Sequence, residues 1–344
     1  MSVITVIGSG VMGSAMSFPA CANGHRVRLV GTMLDREIIE HAKKTDYHLN
    51  LKRNLPTGIE YYQLEELQAA LSEVDLIICG VSSFGVEWFA DEIIPSLPAE
   101  IPVLSVTKGM FNLPDGSLIS FPMYYQEKAP GRDFCAIGGP CTSYELADLD
   151  QTHISFCGNN MDSLRKMKGM LETSYYHISL TTDIEGLECI VALKNLYALA
   201  VSLAVGLSLK EGDTLHYNSQ AALFGQSVAE MQKLLFLYGY QQDNIVFGAG
   251  DLYVTVFGGR TRKIGSLIGM GHNFDSAVNE LNGVTLESFV IASIAGEAVC
   301  TLIESGKASA RDFPLLLHVY DLITNNAAVD IPWDKFTTER MLII

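Results

Sequence analysis

Positive charge is scarce in this chain. Its 344 residues include 23 lysines and arginines against 39 aspartates and glutamates, a formal net charge of -16. No nucleic-acid partner is expected, because a phosphate backbone is held by a basic surface that releases its counterions. An acidic body also repels small anions, so a phosphorylated ligand would require the few basic residues to be gathered locally. The seven cysteines (21, 79, 135, 141, 157, 189, 300) contain no C-x-x-C pair and lie mostly in apolar stretches such as Leu76-Ile77-Ile78-Cys79. They read as buried thiols of a reducing cytoplasm, and no metal site is expected. No basic n-region precedes the strand-like start Ser2-Val3-Ile4, so no secretion signal is expected. The longest apolar stretch, near Leu193 to Leu209, contains Lys194, Asn195 and Ser202. It reads as a buried helix, with no membrane insertion. Internal repeats and low-complexity segments are lacking too.

What is present is a folded, apolar-rich composition, 48% hydrophobic and 18% charged. The length favours two domains. Ser2 to Ile7 is β-branched and nearly all apolar, as a parallel strand covered on both faces would be. Gly8-Ser9-Gly10-Val11-Met12-Gly13 follows at once. A helix is expected from Ser14 to Ala22, ended by Asn23-Gly24, and a second strand from Arg26 to Val30. Further apolar runs at Val74 to Val81, Pro102 to Val106, Phe134 to Ile137 and His153 to Cys157 continue the alternation, with a helix from Asp162 to Glu172. Helical periodicity then takes over: Leu187 to Gly206, Ser219 to Tyr238, Thr285 to Ser305 and Asp312 to Thr324. The expected architecture is a Rossmann-type α/β domain with a doubly wound parallel sheet, residues 1–185, followed by an all-α domain, residues 186–344.

The strand, glycine-rich turn, helix and second strand form the context in which G-x-G-x-x-G signifies a dinucleotide site. Gly8 makes the tight turn, Gly10 lets the backbone approach a pyrophosphate, and Gly13 lets helix and strand pack closely. The helix N-terminus supplies unpaired amides to the anion, and Val11 and Met12 within the turn count among the cofactor contacts. The ribose end is less defined. An acidic residue is expected about twenty positions after the motif, yet the second strand ends Val30-Gly31-Thr32, and Asp35 and Glu37 come later. Arg36 would suit a 2'-phosphate, so NAD and NADP both stay open.

Four further segments, in order, resemble the NAD(P)-dependent glycerol-3-phosphate dehydrogenase family. They are Ser105-Val106-Thr107-Lys108-Gly109, Gly138-Gly139-Pro140, Ala192-Leu193-Lys194-Asn195 and Gly248-Ala249-Gly250-Asp251-Leu252, the last continuing to Thr255 and Gly258-Gly259-Arg260. The resemblance implies reversible hydride transfer between NAD(P)H and dihydroxyacetone phosphate, giving sn-glycerol 3-phosphate for phospholipid synthesis. It makes Lys194 the proton donor and acceptor, with Lys108 and Asp251 beside it in catalysis. Substrate contacts fall to Lys108, Gly139, Asn195, Asp251, Thr255, Arg260 and Thr261. Cofactor contacts fall to the glycine turn with Thr32, Phe84, Lys108, Ser143, Arg260 and Glu287. A cytoplasmic homodimer is also implied.

The residue types fit that chemistry on their own. Ketone reduction needs a proton for the developing alkoxide, and a lysine inside an apolar helix is a costly placement that such a role would explain. The same lysine could snorkel to the surface. Lys108 ends an apolar segment at the carboxyl edge of the sheet, where doubly wound folds bind ligands. Arg260-Thr261-Arg262-Lys263 is the densest basic cluster and offers a planar fork to phosphate, although a solvated helix start reads the same way. Asp251 is equally placed to cap a helix. The family usually has asparagine where Thr261 stands, serine at Cys141 and glycine at Ser288. These departures keep two alternatives in view: a related reductase of another phosphorylated ketone or hydroxy acid, and a non-catalytic dinucleotide-binding regulator.

Overall fold

The computed structural model describes residues 1–115, 117–212, 214–281 and 287–336. The chain divides into two compact units, Met1–Gly109 with Ser120–Glu188, and Met110–Ile119 with Cys189–Ile344.

The first unit is built on eight strands: β1 Val3–Ile7, β2 Arg26–Val30, β3 Glu60–Tyr62, β4 Leu76–Cys79, β5 Val103–Ser105, β6 Phe134–Gly138, β7 Thr152–Gly158 and β8 Tyr176–Thr181. Their order in the sheet is β8-β7-β6-β5-β4-β1-β2-β3. β1 lies between β2 and β4 in parallel register, with Ile4 opposite both Val27 and Leu76. All five of its residues are buried, as its unbroken apolar sequence requires.

The doubly wound sheet is parallel as expected, except that β6 and β7 pair antiparallel. Their connection holds one helix of five residues, Ser143–Ala147, rising about 7.5 Å, against roughly 17 Å for a five-residue strand. It is too short to carry the chain back to the starting end of the sheet. The expected single helix from Ser14 to Ala22 is two, α1 Val11–Ala15 and α2 Ser17–Ala22. Pro19 has no N–H to give the carbonyl four residues earlier, so the helix breaks one turn before it.

Longer helices of the chain include α3 Arg36–Thr45, α4 Met161–Leu171 and the 28-residue α5 Ile184–Glu211. α5 is long and apolar enough to cross a membrane, yet 83% of its most apolar window is buried within the protein. The second unit adds α6 Tyr217–Tyr238, α7 Ile245–Val256, α8 Gly259–Gly269, α9 Phe274–Glu280, α10 Glu287–Glu304 and α11 Pro314–Thr324. The expected start of α10 at Thr285 lies outside the described residues. α5 and α8 meet backbone to backbone. A Cβ on Gly206 would stand 2.0 Å from the Ser266 carbonyl oxygen, and one on Gly269 2.3 Å from that of Leu203. The short hairpin of Met110–Asn112 and Leu118–Ser120, which the sequence pattern does not announce, contributes residues 110–119 to this otherwise helical unit.

Candidate active site

The glycine turn of the first unit is held by contacts only glycine permits. Gly8 has φ +106°, and a Cβ there would lie 2.6 Å from the carbonyl carbon of Gly80. A Cβ on Gly13 would stand 2.2 Å from the Gly8 carbonyl oxygen, and one on Gly80 2.6 Å from the same atom and 2.8 Å from the Cα of Gly13. Three glycines from β1, α1 and the end of β4 therefore share one point. Gly80 is the member that the sequence reading missed. Its signal was the glycine ending the apolar run Leu76 to Cys79. Gly80→Val is expected to weaken dinucleotide binding by at least about tenfold, since the turn must move to admit a side chain. Calorimetry with NADH checks this, and unchanged affinity would contradict it.

Gly10 caps α1 with no side-chain bond to the first-turn amides, so the amides that follow are left to a ligand. Beside the turn opens a cleft of about 340 Å³ lined by Gly8, Gly10, Thr32, Asp35, Phe84 and Trp88, among others. Met33, Leu34 and Phe84 on its walls are 55%, 87% and 62% exposed. An apolar wall left open to water beside a glycine cradle suits a flat heteroaromatic ring. The residues present thus fit a dinucleotide. Ser143, named for the same ligand, is buried at the first turn of Ser143–Ala147 and is not among the residues lining this cleft.

On the neighbouring edge, Lys108 Nζ donates to the Gly139 carbonyl at 2.9 Å. Gly139 follows β6 with φ +119° and Gly109 has φ +150°. A Cβ on Gly109 would strike the Phe121 ring at 2.3 Å, so the turn carrying Lys108 is fixed by that glycine.

In the second unit Lys194 on α5 meets Asp251 on α7, Nζ to Oδ1 2.5 Å, with the lysine side chain 15% exposed and the aspartate fully buried. Two helices can bring these groups so close because Gly248, one turn before Asp251, has no side chain. A Cβ there would lie 2.9 Å from the Ile190 Cβ. Asp251 sits inside α7 and not at its start, so it is not the N-cap of that helix. Lys194 is likewise no snorkelling lysine. Thr255, one turn on from Asp251, donates to the Asp251 carbonyl at 2.6 Å.

The basic cluster divides its work. Arg262 donates to the Val256 carbonyl at the end of α7, at 2.5 Å. Arg260 is exposed in the first turn of α8, and makes no side-chain bond among the described residues. A cation at the positive end of a helix is electrostatically unfavourable unless an anion joins it. Glu287 opens α10 and is exposed, whereas Ser288 is buried.

Two family models match this chain, the NAD-dependent glycerol-3-phosphate dehydrogenase N-terminus over residues 3–164 and its C-terminus over residues 183–333. The chain belongs to the NAD-dependent glycerol-3-phosphate dehydrogenase family. It is 32% identical over 283 residues to the NADP(+)-dependent glycerol-3-phosphate dehydrogenase of Archaeoglobus fulgidus, covering 81% of this chain and 83% of the relative. It is 25% identical over 333 residues to the glycerol-3-phosphate dehydrogenase [NAD(P)+] of Enterococcus faecalis, covering 95% and 92%. The structure of the Plasmodium falciparum glycerol-3-phosphate dehydrogenase superposes with a TM-score of 0.81 at 20% identity, over 99% of this chain and 96% of that one.

For a glycerol-3-phosphate dehydrogenase the geometry groups the expected residues into three clusters. Gly8, Gly10, Thr32 and Phe84 line one cleft, with Val11, Met12 and Gly13 in α1 following directly. Lys108 and Gly139 are bonded to each other. Lys194, Asp251 and Thr255 form a bonded set, and Asn195 follows Lys194 on α5. One group was missed besides Gly80. His48 is buried and its Nε2 lies 2.8 Å from the Ser9 carbonyl oxygen. Leu51 N–H donates to its Nδ1 at 3.0 Å, so the proton is on Nε2 and is given to Ser9. Asp35, which comes later in the chain than the expected ribose acid, lines the cleft.

Proposed function

We propose that this chain reversibly reduces dihydroxyacetone phosphate to sn-glycerol 3-phosphate, with Lys194 exchanging the proton. A bound reduced nicotinamide supplies the hydride to the carbonyl carbon. The observation that carries the reading is the Lys194–Asp251 pair, an ammonium held by a buried carboxylate inside an apolar helix pair. The former carbonyl oxygen gains a proton from Lys194 Nζ as its carbon gains hydride, and returns it in the reverse direction. Asp251 orients the ammonium, and Thr255 stands one turn away on the same helix face.

We assign the substrate phosphate to Arg260 and Thr261 at the start of α8, where an uncommitted guanidinium and first-turn amides favour an anion. Threonine in place of the usual asparagine keeps a hydroxyl donor. Lys108, Gly139 and Asn195 are the remaining substrate groups. Residues 1–185 carry the dinucleotide cradle and residues 186–344 carry Lys194 and the phosphate-binding Arg260, with Ser143 and Glu287 assigned to the dinucleotide alongside the turn. The seven free thiols support a reducing cytoplasm. Exposed Phe236, Val246, Tyr253 and Phe257 support a homodimer, which light scattering would report. The test of function is loss of nicotinamide absorbance on adding dihydroxyacetone phosphate to purified protein, with NADH and NADPH each tried. No substrate-dependent loss with either would refute the reading.

A further inference from the structure

The short hairpin of Tyr47–His48 and Arg53–Asn54, with His48 opposite Arg53, takes no part in the eight-stranded sheet. It is nevertheless fastened at several points. Leu51 and Leu55 are buried in the core of the first unit. The Leu55 amide donates to the Asp46 carbonyl at 2.6 Å, and Arg53 holds both oxygens of Asp148, at 2.6 and 2.8 Å. What this anchored hairpin presents inward is the fully buried His48. The imidazole uses both nitrogens: Nδ1 accepts from the Leu51 amide at 3.0 Å, and Nε2 donates to the Ser9 carbonyl at 2.8 Å. Only a neutral ring does both, and burial pushes this imidazole below its usual range.

Ser9 sits between Gly8 and Gly10, where the backbone has the widest conformational freedom. Both of its peptide groups are held, the carbonyl by His48 and the amide by the Asp35 carboxylate at 3.2 Å. In a planar trans peptide the Gly10 N–H points opposite to the Ser9 carbonyl, and so away from His48. That N–H makes no bond among the described residues, and Gly10 lines the cleft. A glycine turn whose peptide plane is already set loses less freedom when a ligand closes on it.

We propose that His48 is a positioning residue for the cofactor. By fixing the Ser9–Gly10 peptide it aims the Gly10 amide at the diphosphate of a bound dinucleotide, and the hairpin of residues 47–54 is the brace that keeps it there. This rests on the dinucleotide site and not on the identity of the ketone. His48→Asn and His48→Gln divide the two bonds. The shorter amide places an acceptor where Nδ1 stands and falls short of Ser9, whereas the longer one carries a donor out to the position of Nε2. Calorimetry is expected to show NADH binding weakened about tenfold in His48→Asn and within about threefold of wild type in His48→Gln. ADP, which retains the diphosphate, is expected to follow NADH, while adenosine, which lacks it, binds all three proteins alike. Wild-type NADH affinity in His48→Asn overturns the proposal, as does an equal loss in His48→Gln, or a loss for adenosine that matches the loss for ADP. Should His48→Asn fail to fold, the wild-type imidazole spectrum decides. The His48 Nε2–H resonance, assigned by its absence from His48→Gln, is expected to shift on adding ADP and not on adding adenosine, and a resonance unmoved by ADP overturns the proposal. Wild-type protein that binds neither NADH nor ADP would refute the dinucleotide site and the proposal with it, whereas tight binding indifferent to His48 would refute the proposal alone.

Discussion

Lys194→Ala is expected to lower kcat by about 10²- to 10⁴-fold, the range a positioned general acid–base contributes, while NADH affinity stays within about twofold, since its cradle is Gly8, Gly13 and Gly80. The same loss is expected in Lys194→Arg. Arginine preserves a cation opposite Asp251 but does not release a proton near neutral pH. That second variant separates proton transfer from charge pairing: if the lysine served only to neutralise the buried carboxylate, arginine would restore most of the activity. Stopped-flow and steady-state oxidation of NADH, beside calorimetric binding, read both quantities. Activity within tenfold of wild type in Lys194→Arg would remove Lys194 from the proton path. Asp251→Asn should act more mildly, because an amide oxygen can still accept from Nζ. Its effect is expected on kcat more than on KM, as befits a group that orients the lysine.

How far the sequence could reach depended on whether a constraint was local. The glycine turn was legible because Gly8, Gly10 and Gly13 answer to one strand and one helix adjacent in the chain. Lys194 was legible because a lone cation in an apolar helix is costly wherever that helix packs. Gly80 was not, since its need for a bare Cα comes from Gly8 and Gly13, some seventy residues earlier. Asp35 is a related case. Counting residues from the motif placed the acid too late, but a turn bonded back onto Thr32 and Ser9 returns it to the cleft. The antiparallel joint of β6 and β7 and the hairpin at 110–119 leave no periodicity to read, being decided by connection length and by partners distant in sequence.

Glu230→Leu is expected to destabilise the second unit by roughly 3–5 kcal/mol. Glu230 lies on α6, 1% exposed. Its carboxylate accepts from the Leu315 and Leu316 amides at 2.8 and 2.9 Å, from Gln226 at 2.8 Å and from the Tyr197 hydroxyl at 3.2 Å. The first two are orphan donors at the start of α11, whose own N-cap, Phe313, offers no side-chain acceptor. Glu230 thus caps one helix from another and ties both to α5, through a tyrosine three residues beyond Lys194. Burial pushes its carboxyl up to about 7 from 4.5, even against those four donors. Between these pH values the folded protein holds a proton the unfolded chain has released. The stability this gives is complete below pH 4.5 and is lost as pH rises through about 7. The leucine variant has no such slope, so its deficit should be widest near pH 5 and narrower near pH 8. Thermal melts of both proteins at the two pH values test it. A deficit that is equal at both, or that grows with pH, would show that Glu230 is ionised throughout and that its four donors outweigh its burial.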